Sequence, residues 1–510
     1  MKQPSSDLYR DSLSLLTDLY ELTMAYSYWK TGTADKEAVF NLSFRSNPFR
    51  GGFAIACGLS HLIEYIQNAK FTRQDIEYLG SLKGNDGLDL FDKEFLEYLF
   101  ALKFECDIDA VAEGSVVFAH EPIVRVKGPI VSCQILESAL LNIVNFQTLI
   151  ATKAARLRLA AGDKAILEFG LRRAQGVDGS VSATWASYIG GCDGTSNVLA
   201  GKLYDIPVKG THAHSWVMSY DDELEAFQAY AKAMPNNSVF LVDTYDSLAG
   251  VANAITTGKW LKENGYKFQG IRLDSGDFAY LSIEARKMLN EAGFADAKIF
   301  ASNDLDEHII QSLNDQGAQV DVWAVGTKLV TAYDQPSLGG VYKLTAVRKP
   351  GQDWHYKVKL SEQAVKISNP GIQQVRRFYT EDRNGKLFIG DMIFDEAGSA
   401  PESSVIVDPI DFTRRKVIPQ NSSYVDLLKP IFRKGKLVYE SPSAEQIREY
   451  SKSELKMLHP GIKRLLNPHQ YPVGLELSLH QLKTELIMVA RAERDKRAKS
   501  GAATTQPYFD

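Results

Sequence analysis

From residue 165 onward, short apolar runs alternate with amphipathic stretches, and this rhythm constrains the fold more than any other feature. Strand-like runs stand at 165–169, 206–211, 238–243, 269–274, 298–302 and 322–326. Helical patterns fill 221–234, 247–257, 278–292 and 305–316. Strands separated by helices pair in parallel, so the spacing predicts an α/β fold whose parallel sheet is either open or closed as an irregular (βα) barrel. Polar residues gather at the strand ends: Phe169 to Arg172, Thr211 to His214, Asp243 to Asp246, Arg272 to Asp277, Ser302 to Asp304 and Gly326 to Lys328. Folds of this kind carry their sites at the carboxyl ends of the strands. Asp243, Asp277 and Asp304 also suit helix N-caps. Capping does not account for Arg272 or for two histidines.

Upstream, 12–30 has helical spacing with Thr17 or Asp18 as a cap, and 38–44 alternates like a strand. Residues 109–126 read as two strands joined through Glu121-Pro122. The clearest helix is 136–161, with basic residues late and Gly162 just beyond. After 338, short strands at 339–347, 355–361, 387–393 and 404–407 precede helices at 443–465 and 473–498. From Arg491 the chain reads as a solvated helix end and a disordered tail. This divides the chain into an N-terminal α/β domain (1–135), a barrel domain (136–338) and a C-terminal region (339–510) that folds alone or completes the first.

The stretch 165–215 concentrates the chemistry. Eight glycines lie between 170 and 210, a density that predicts turns with positive φ and backbone close to a ligand. Arg172 and Arg173 suit planar anions, and Gly194-Thr195-Ser196-Asn197 suits phosphate or carboxylate oxygens. His212 and His214 would share a strand face, but no third metal ligand accompanies them, so a histidine acting as nucleophile or base fits better, His214 before His212. On a strand, Arg272 and Asp274 point into one pocket. Gly326-Thr327-Lys328 has the composition of a phosphate nest. A net charge of −5 gives no footprint for nucleic acid, so any polyanion must meet a local basic site. Four dispersed cysteines fit a reducing compartment. The N-terminus has no apolar signal core, and no run approaches 18 apolar residues, so a soluble cytoplasmic protein without a membrane partner is expected. From the residues, the reading is an α/β-barrel enzyme acting on a phosphorylated ribose or similar sugar.

Five motifs sharpen this: Leu15 to Met24, Phe169 to Gly176, Gly194 to Gly201, Gly210 to Trp216 and Arg272 to Asp277. Together they resemble the nicotinate phosphoribosyltransferase family. The resemblance implies synthesis of nicotinate mononucleotide and pyrophosphate from nicotinate and 5-phosphoribosyl 1-pyrophosphate, with ATP hydrolysis coupled to turnover and Mg²⁺ required. It implies that His214 is transiently phosphorylated by ATP and that Asp243 orients it. By the same resemblance Tyr20 stacks on the pyridine in a neighbouring subunit, opposite Phe169, so a homodimer with shared sites is expected. Arg172, Thr211 and Arg272 would line the nicotinate and ribose-phosphate site, Asp274 would serve ribose or metal, and Asn303, Asp304, Gly326 and Thr327 would hold phosphates. Metal ligands are not specified further. Ser196 stands where the related nicotinamide enzyme carries an acidic residue; a hydroxyl there removes a repulsion against nicotinate's carboxylate and favours the acid over the amide. Leu171 replaces an aromatic of that enzyme. The competing readings are the nicotinamide enzyme, a non-catalytic ligand-binding barrel, and an aldolase with Lys328 as its Schiff-base lysine.

Overall fold

A computed structural model describes residues 12–382, 385–398 and 404–499. The tail beyond 499, expected to be disordered, lies outside the described residues, as does the segment 1–11.

At the centre is a six-stranded sheet in the order Gly194–Thr195, Ala165–Glu168, Val322–Val325, Lys298–Asn303, Gly270–Leu273, Val239–Leu241. All its pairings are parallel. The strand cores are apolar on both faces, with Ile166, Phe240, Ile271, Ile299, Trp323 and Val325 buried, because helices cover them. Four of those helices start on an aspartate whose side chain accepts backbone N–H groups: Asp222, Asp246, Asp277 and Asp306. Of the three expected capping aspartates only Asp277 caps; Asp246 and Asp306 do the work expected of Asp243 and Asp304.

The sheet corrects two sequence expectations. Residues 206–211 form no regular strand; the edge strand is Gly194–Thr195, and only Val208 bridges to it, through Thr195. Among the described residues the sheet is not closed by backbone pairing between its edge strands. The gap is spanned by a side chain, since the Leu241 N–H donates to His212 Nε2 at 3.3 Å. The Gly-rich stretch is also mostly helical, as Val177–Ile189 and Val198–Tyr204. Of its eight glycines only Gly176 and Gly191 have positive φ. Gly190 instead lets two helices approach: a Cβ there would lie 2.2 Å from the Ala151 carbonyl oxygen.

A seven-stranded antiparallel sheet packs beside the first, in the order 355–356, 340–348, 37–44, 124–129, 107–111, 428–433, 436–437. Four of its strands follow residue 338, so the late chain returns to complete the early one. A third sheet holds Arg415–Val417, Val405–Val407, Val473–Glu476, Gly385–Asp395, Gln373–Asp382 and Ser423–Asp426. Residues 473–476, expected as helix, are thus a strand before the helix Leu477–Lys499. The expected helix 443–465 ends at Lys456.

Helices Ile130–Ile135 and Glu137–Ala161 run end to end through the interior. Together they have the length and composition to span a membrane, against the expectation that no apolar run is long enough, yet 61% of the apolar window is buried inside the protein. Lys153 and Arg156 on the same helix are buried and paired with Glu307, so this helix is the shared spine of two cores.

Candidate active site

The carboxyl ends of the central strands open into a cleft of about 450 Å³. Phe169, Arg172, Ser196, Thr211, His214, Arg272, Asp274, Asn303, Asp304, Gly326 and Thr327 all line it. Eleven of the thirteen residues expected at the site therefore meet in one place; Asp243 and Tyr20 stand outside the lining.

Arg272 organises the floor. It lies one residue before the end of the strand Gly270–Leu273, and its guanidinium donates three ways: Nε to Ser302 Oγ at 2.7 Å, one terminal nitrogen to Thr211 Oγ1 at 3.1 Å, the other to Asp274 Oδ1 at 2.8 Å. A planar fork with fixed donors suits this arrangement, and a lysine could not reproduce it. The guanidinium carbon also lies 5.7 Å from the Phe169 ring centroid. Burial pushes the Asp274 carboxyl up, but the Ser302 hydrogen bond and the Arg272 charge outweigh it and hold the group below its ordinary value. Asp274 is thus a fixed carboxylate at neutral pH.

The two histidines part company. His212 is 7% exposed, packed on Phe227, Tyr230 and Phe240, and accepts the Leu241 N–H. Burial pushes its pKa down to about 4, so the ring is neutral and structural. His214 opens the short helix His214–Val217 with its side chain 39% exposed. Its Nδ1 lies 3.1 Å from Thr244 Oγ1, and its Nε2 lies 3.7 Å from Asp274 Oδ2.

Asp243 does not orient His214 in this conformation. Its Oδ2 accepts the Asp274 N–H at 3.1 Å and the Ser275 hydroxyl at 2.6 Å. Its Oδ1 is buried without a hydrogen-bond partner. The group beside His214 Nδ1 is Thr244, one residue on. The resemblance implies Asp243 for this place; here the chain has left the sheet after Leu241, side-chain direction no longer alternates, and the next residue stands beside the ring.

Elsewhere in the cleft lining, Asn303 has φ 136°, a left-handed value that costs a non-glycine residue energy, and its Oδ1 accepts the Asp304 N–H at 2.8 Å. Gly326 packs so closely that a Cβ would lie 3.1 Å from the Phe169 carbonyl oxygen. Lys328 donates to Asp306 at 2.7 Å; burial pulls its pKa down, but that bond and the charges of Asp306, Asp334 and Asp304 together raise it, which makes it a fixed cation rather than an aldolase nucleophile. Tyr20 sits on the helix Leu19–Lys30, 45% exposed, beside Glu137 and away from the cleft of its own chain.

Thr244 and Ser302 stand in polar strand ends that the sequence shows but assigns no role, and Glu168 is not singled out at all. Ser302 was legible in principle: Ala301 pairs with Leu273, so the next residue stands beside Asp274. Glu168 was read only as part of an apolar run, yet it is 1% exposed and carries a carboxylate.

Comparisons with known proteins agree with this geometry. The chain matches the nicotinate phosphoribosyltransferase N-terminal domain over residues 15–145, the nicotinate phosphoribosyltransferase family over 165–364, and the corresponding C-terminal domain over 372–483. It is 47% identical over 468 residues to the nicotinate phosphoribosyltransferase of Bacillus subtilis, covering 91% of this chain and 93% of that one. It is 35% identical over 528 residues to the human protein of that name, covering 92% and 96%. The crystal structure of human nicotinic acid phosphoribosyltransferase superposes with a TM-score of 0.79 at 33% identity, over 92% of this chain and 99% of that one. The chain belongs to the nicotinate phosphoribosyltransferase family.

Proposed function

We propose that the protein makes nicotinate mononucleotide and pyrophosphate from nicotinate and 5-phosphoribosyl 1-pyrophosphate, in NAD biosynthesis or salvage, with ATP hydrolysed through a phosphohistidine. The observation that carries this reading is the Arg272 fork joined to Asp274, with an exposed His214 across from it. Phe169 offers an aromatic wall to the pyridine, and Arg172 attracts its carboxylate. Ser196 presents no charge to repel it. The pyridine nitrogen attacks the anomeric carbon as the pyrophosphate oxygen departs, through an oxocarbenium-like state. Asp274, held ionised, stabilises the positive charge that develops on the sugar, while Arg272 stabilises the phosphate oxygens. Both groups are oriented before substrate arrives, so little reorganisation opposes the reaction.

Among the described residues no cluster of three or more metal-ligating side chains is present. Mg²⁺ commonly binds through one or two carboxylates plus substrate phosphates, and Asp274 with Asp243, whose Oδ1 is unpartnered, fit that role. Bound there, it would neutralise charge on the departing pyrophosphate. With Nδ1 protonated and donating to Thr244, His214 Nε2 keeps the lone pair that attacks the terminal phosphorus of ATP, and ADP leaves. Tyr20 lies outside its own cleft, which supports a homodimer in which it serves the partner's. His212 and Val208 fill the gap in the central sheet, which supports an irregular barrel.

The test is turnover of nicotinate and, separately, nicotinamide with 5-phosphoribosyl 1-pyrophosphate and Mg²⁺, with and without ATP. Nicotinate mononucleotide should form, faster with ATP, while nicotinamide reacts poorly. His214→Ala should retain slow synthesis and lose the ATP stimulation. A preference for nicotinamide would refute the role given to Ser196, and no product from either base would refute the reading.

A further inference from the structure

Behind the cleft wall, Glu168 is a buried carboxylate that the scheme above does not use. It is 1% exposed, and among the described residues no Lys, Arg or His forms an ion pair with it. Its Oε1 accepts the Gly170 N–H, and its Oε2 accepts the hydroxyls of Thr184 at 2.9 Å and Thr195 at 2.6 Å. Thr195 Oγ1 accepts in turn the Asn197 N–H at 2.9 Å. The Glu168 backbone carbonyl accepts the Ser196 N–H, also at 2.9 Å. One residue therefore ties the turn carrying Phe169 and Arg172 to the loop carrying Ser196. Burying a carboxylate without a cation is costly, and simple packing of this strand end does not require one.

We propose that Glu168 is a positioning residue that sets which base the cleft accepts, by fixing the distance between Phe169 and Ser196; this rests on the reading that those two residues flank the pyridine. The chemistry is specific to a carboxylate. Burial pushes the Glu168 carboxyl up, and the hydrogen bonds from Thr195, Gly170 and Thr184 pull it back by favouring the ionised form, which offers only acceptors and so takes an amide and two hydroxyls together. Glutamine must turn its NH₂ toward at least one of these donors, and valine at 195 removes the hydroxyl that links Glu168 to Asn197.

The experiment compares Glu168→Gln, Thr195→Val and Thr195→Ser with the wild type. The readouts are kcat and KM for nicotinate, nicotinamide and 5-phosphoribosyl 1-pyrophosphate, with Tm for each variant. Glu168→Gln and Thr195→Val should reduce the nicotinate-to-nicotinamide ratio of kcat/KM about tenfold, mainly through KM for the base, the size of one lost hydrogen bond to a charged group. KM for 5-phosphoribosyl 1-pyrophosphate should stay within about twofold, and Thr195→Ser should restore the ratio. If Glu168→Gln fails to fold, Thr195→Val and its serine rescue decide the matter. An unchanged ratio, or both KM values rising together with a falling Tm, overturns the positioning role and leaves nicotinate activity standing. A wild type inactive on both bases overturns both.

Discussion

His212 accepts the Leu241 N–H from within an aromatic cluster, while His214, two residues on, faces the cleft. The sequence ranked His214 before His212 as the reactive ring, and the structure agrees, but the reason was not legible, because the burial of His212 is set by the distant residues Phe227, Tyr230 and Phe240. His212 also carries a pH prediction. Its pKa is lowered from 6.5 to about 4, so below pH 6.5 the unfolded chain binds a proton that the folded one refuses. Stability then rises with pH through this window and is lost as pH falls from 6.5 toward 4, by on the order of 3 kcal/mol. His212→Gln retains an acceptor for Leu241 and cannot titrate. Urea unfolding from pH 7 to pH 4 should show a shallower acid loss in the variant; equal slopes would contradict the buried neutral ring.

At the scale of elements, strands and helices were readable because apolar periodicity and capping are local. Asp222, Asp246, Asp277 and Asp306 each start a helix with a side chain that satisfies free N–H groups, and sequence placed those helices within a few residues. Glycine was misread for the opposite reason. A glycine that permits a turn and one that permits close packing look alike in sequence, and Gly190 is the second kind. Gly190→Ala would force its Cβ to 2.2 Å from the Ala151 oxygen and separate the helices Val177–Ile189 and Glu137–Ala161. The expected cost is about 2–3 kcal/mol in chemical denaturation, typical of overpacking. Gly179, with nothing within 4 Å of a Cβ, is the control and should tolerate alanine. Equal effects at the two positions would refute the packing account.

The whole molecule is held together by returns of the chain. Gly340–Arg348 pairs with Glu37–Phe44, and Leu428–Arg433 pairs with Asp107–Val111. These late strands bring Tyr342, Ala346, Ile431 and Phe432 into the interior. A chain cut after residue 338 loses those side chains and leaves two strand edges unpaired. It should be insoluble, or lack the near-ultraviolet circular dichroism of a packed core, whereas the intact chain should unfold cooperatively. A soluble, cooperatively folding 1–338 fragment would contradict this organisation.

By itself the sequence determined the parallel α/β class, the places of the helices between the central strands, and the gathering of Phe169, Arg172, Ser196, Thr211, His214, Arg272 and Asp274 in one cleft. Those features follow from side-chain periodicity, capping and strand polarity, which neighbouring residues impose on one another. Only the tertiary structure decided that 206–211 is not a strand, that Thr244 rather than Asp243 stands beside His214, that Glu168 ties two walls of the cleft together, and that four strands after residue 338 complete the early sheet. Each of these depends on which distant segment a residue meets. Pairing and burial are set by the energy of the whole packed chain, and local pattern carries no record of that partner.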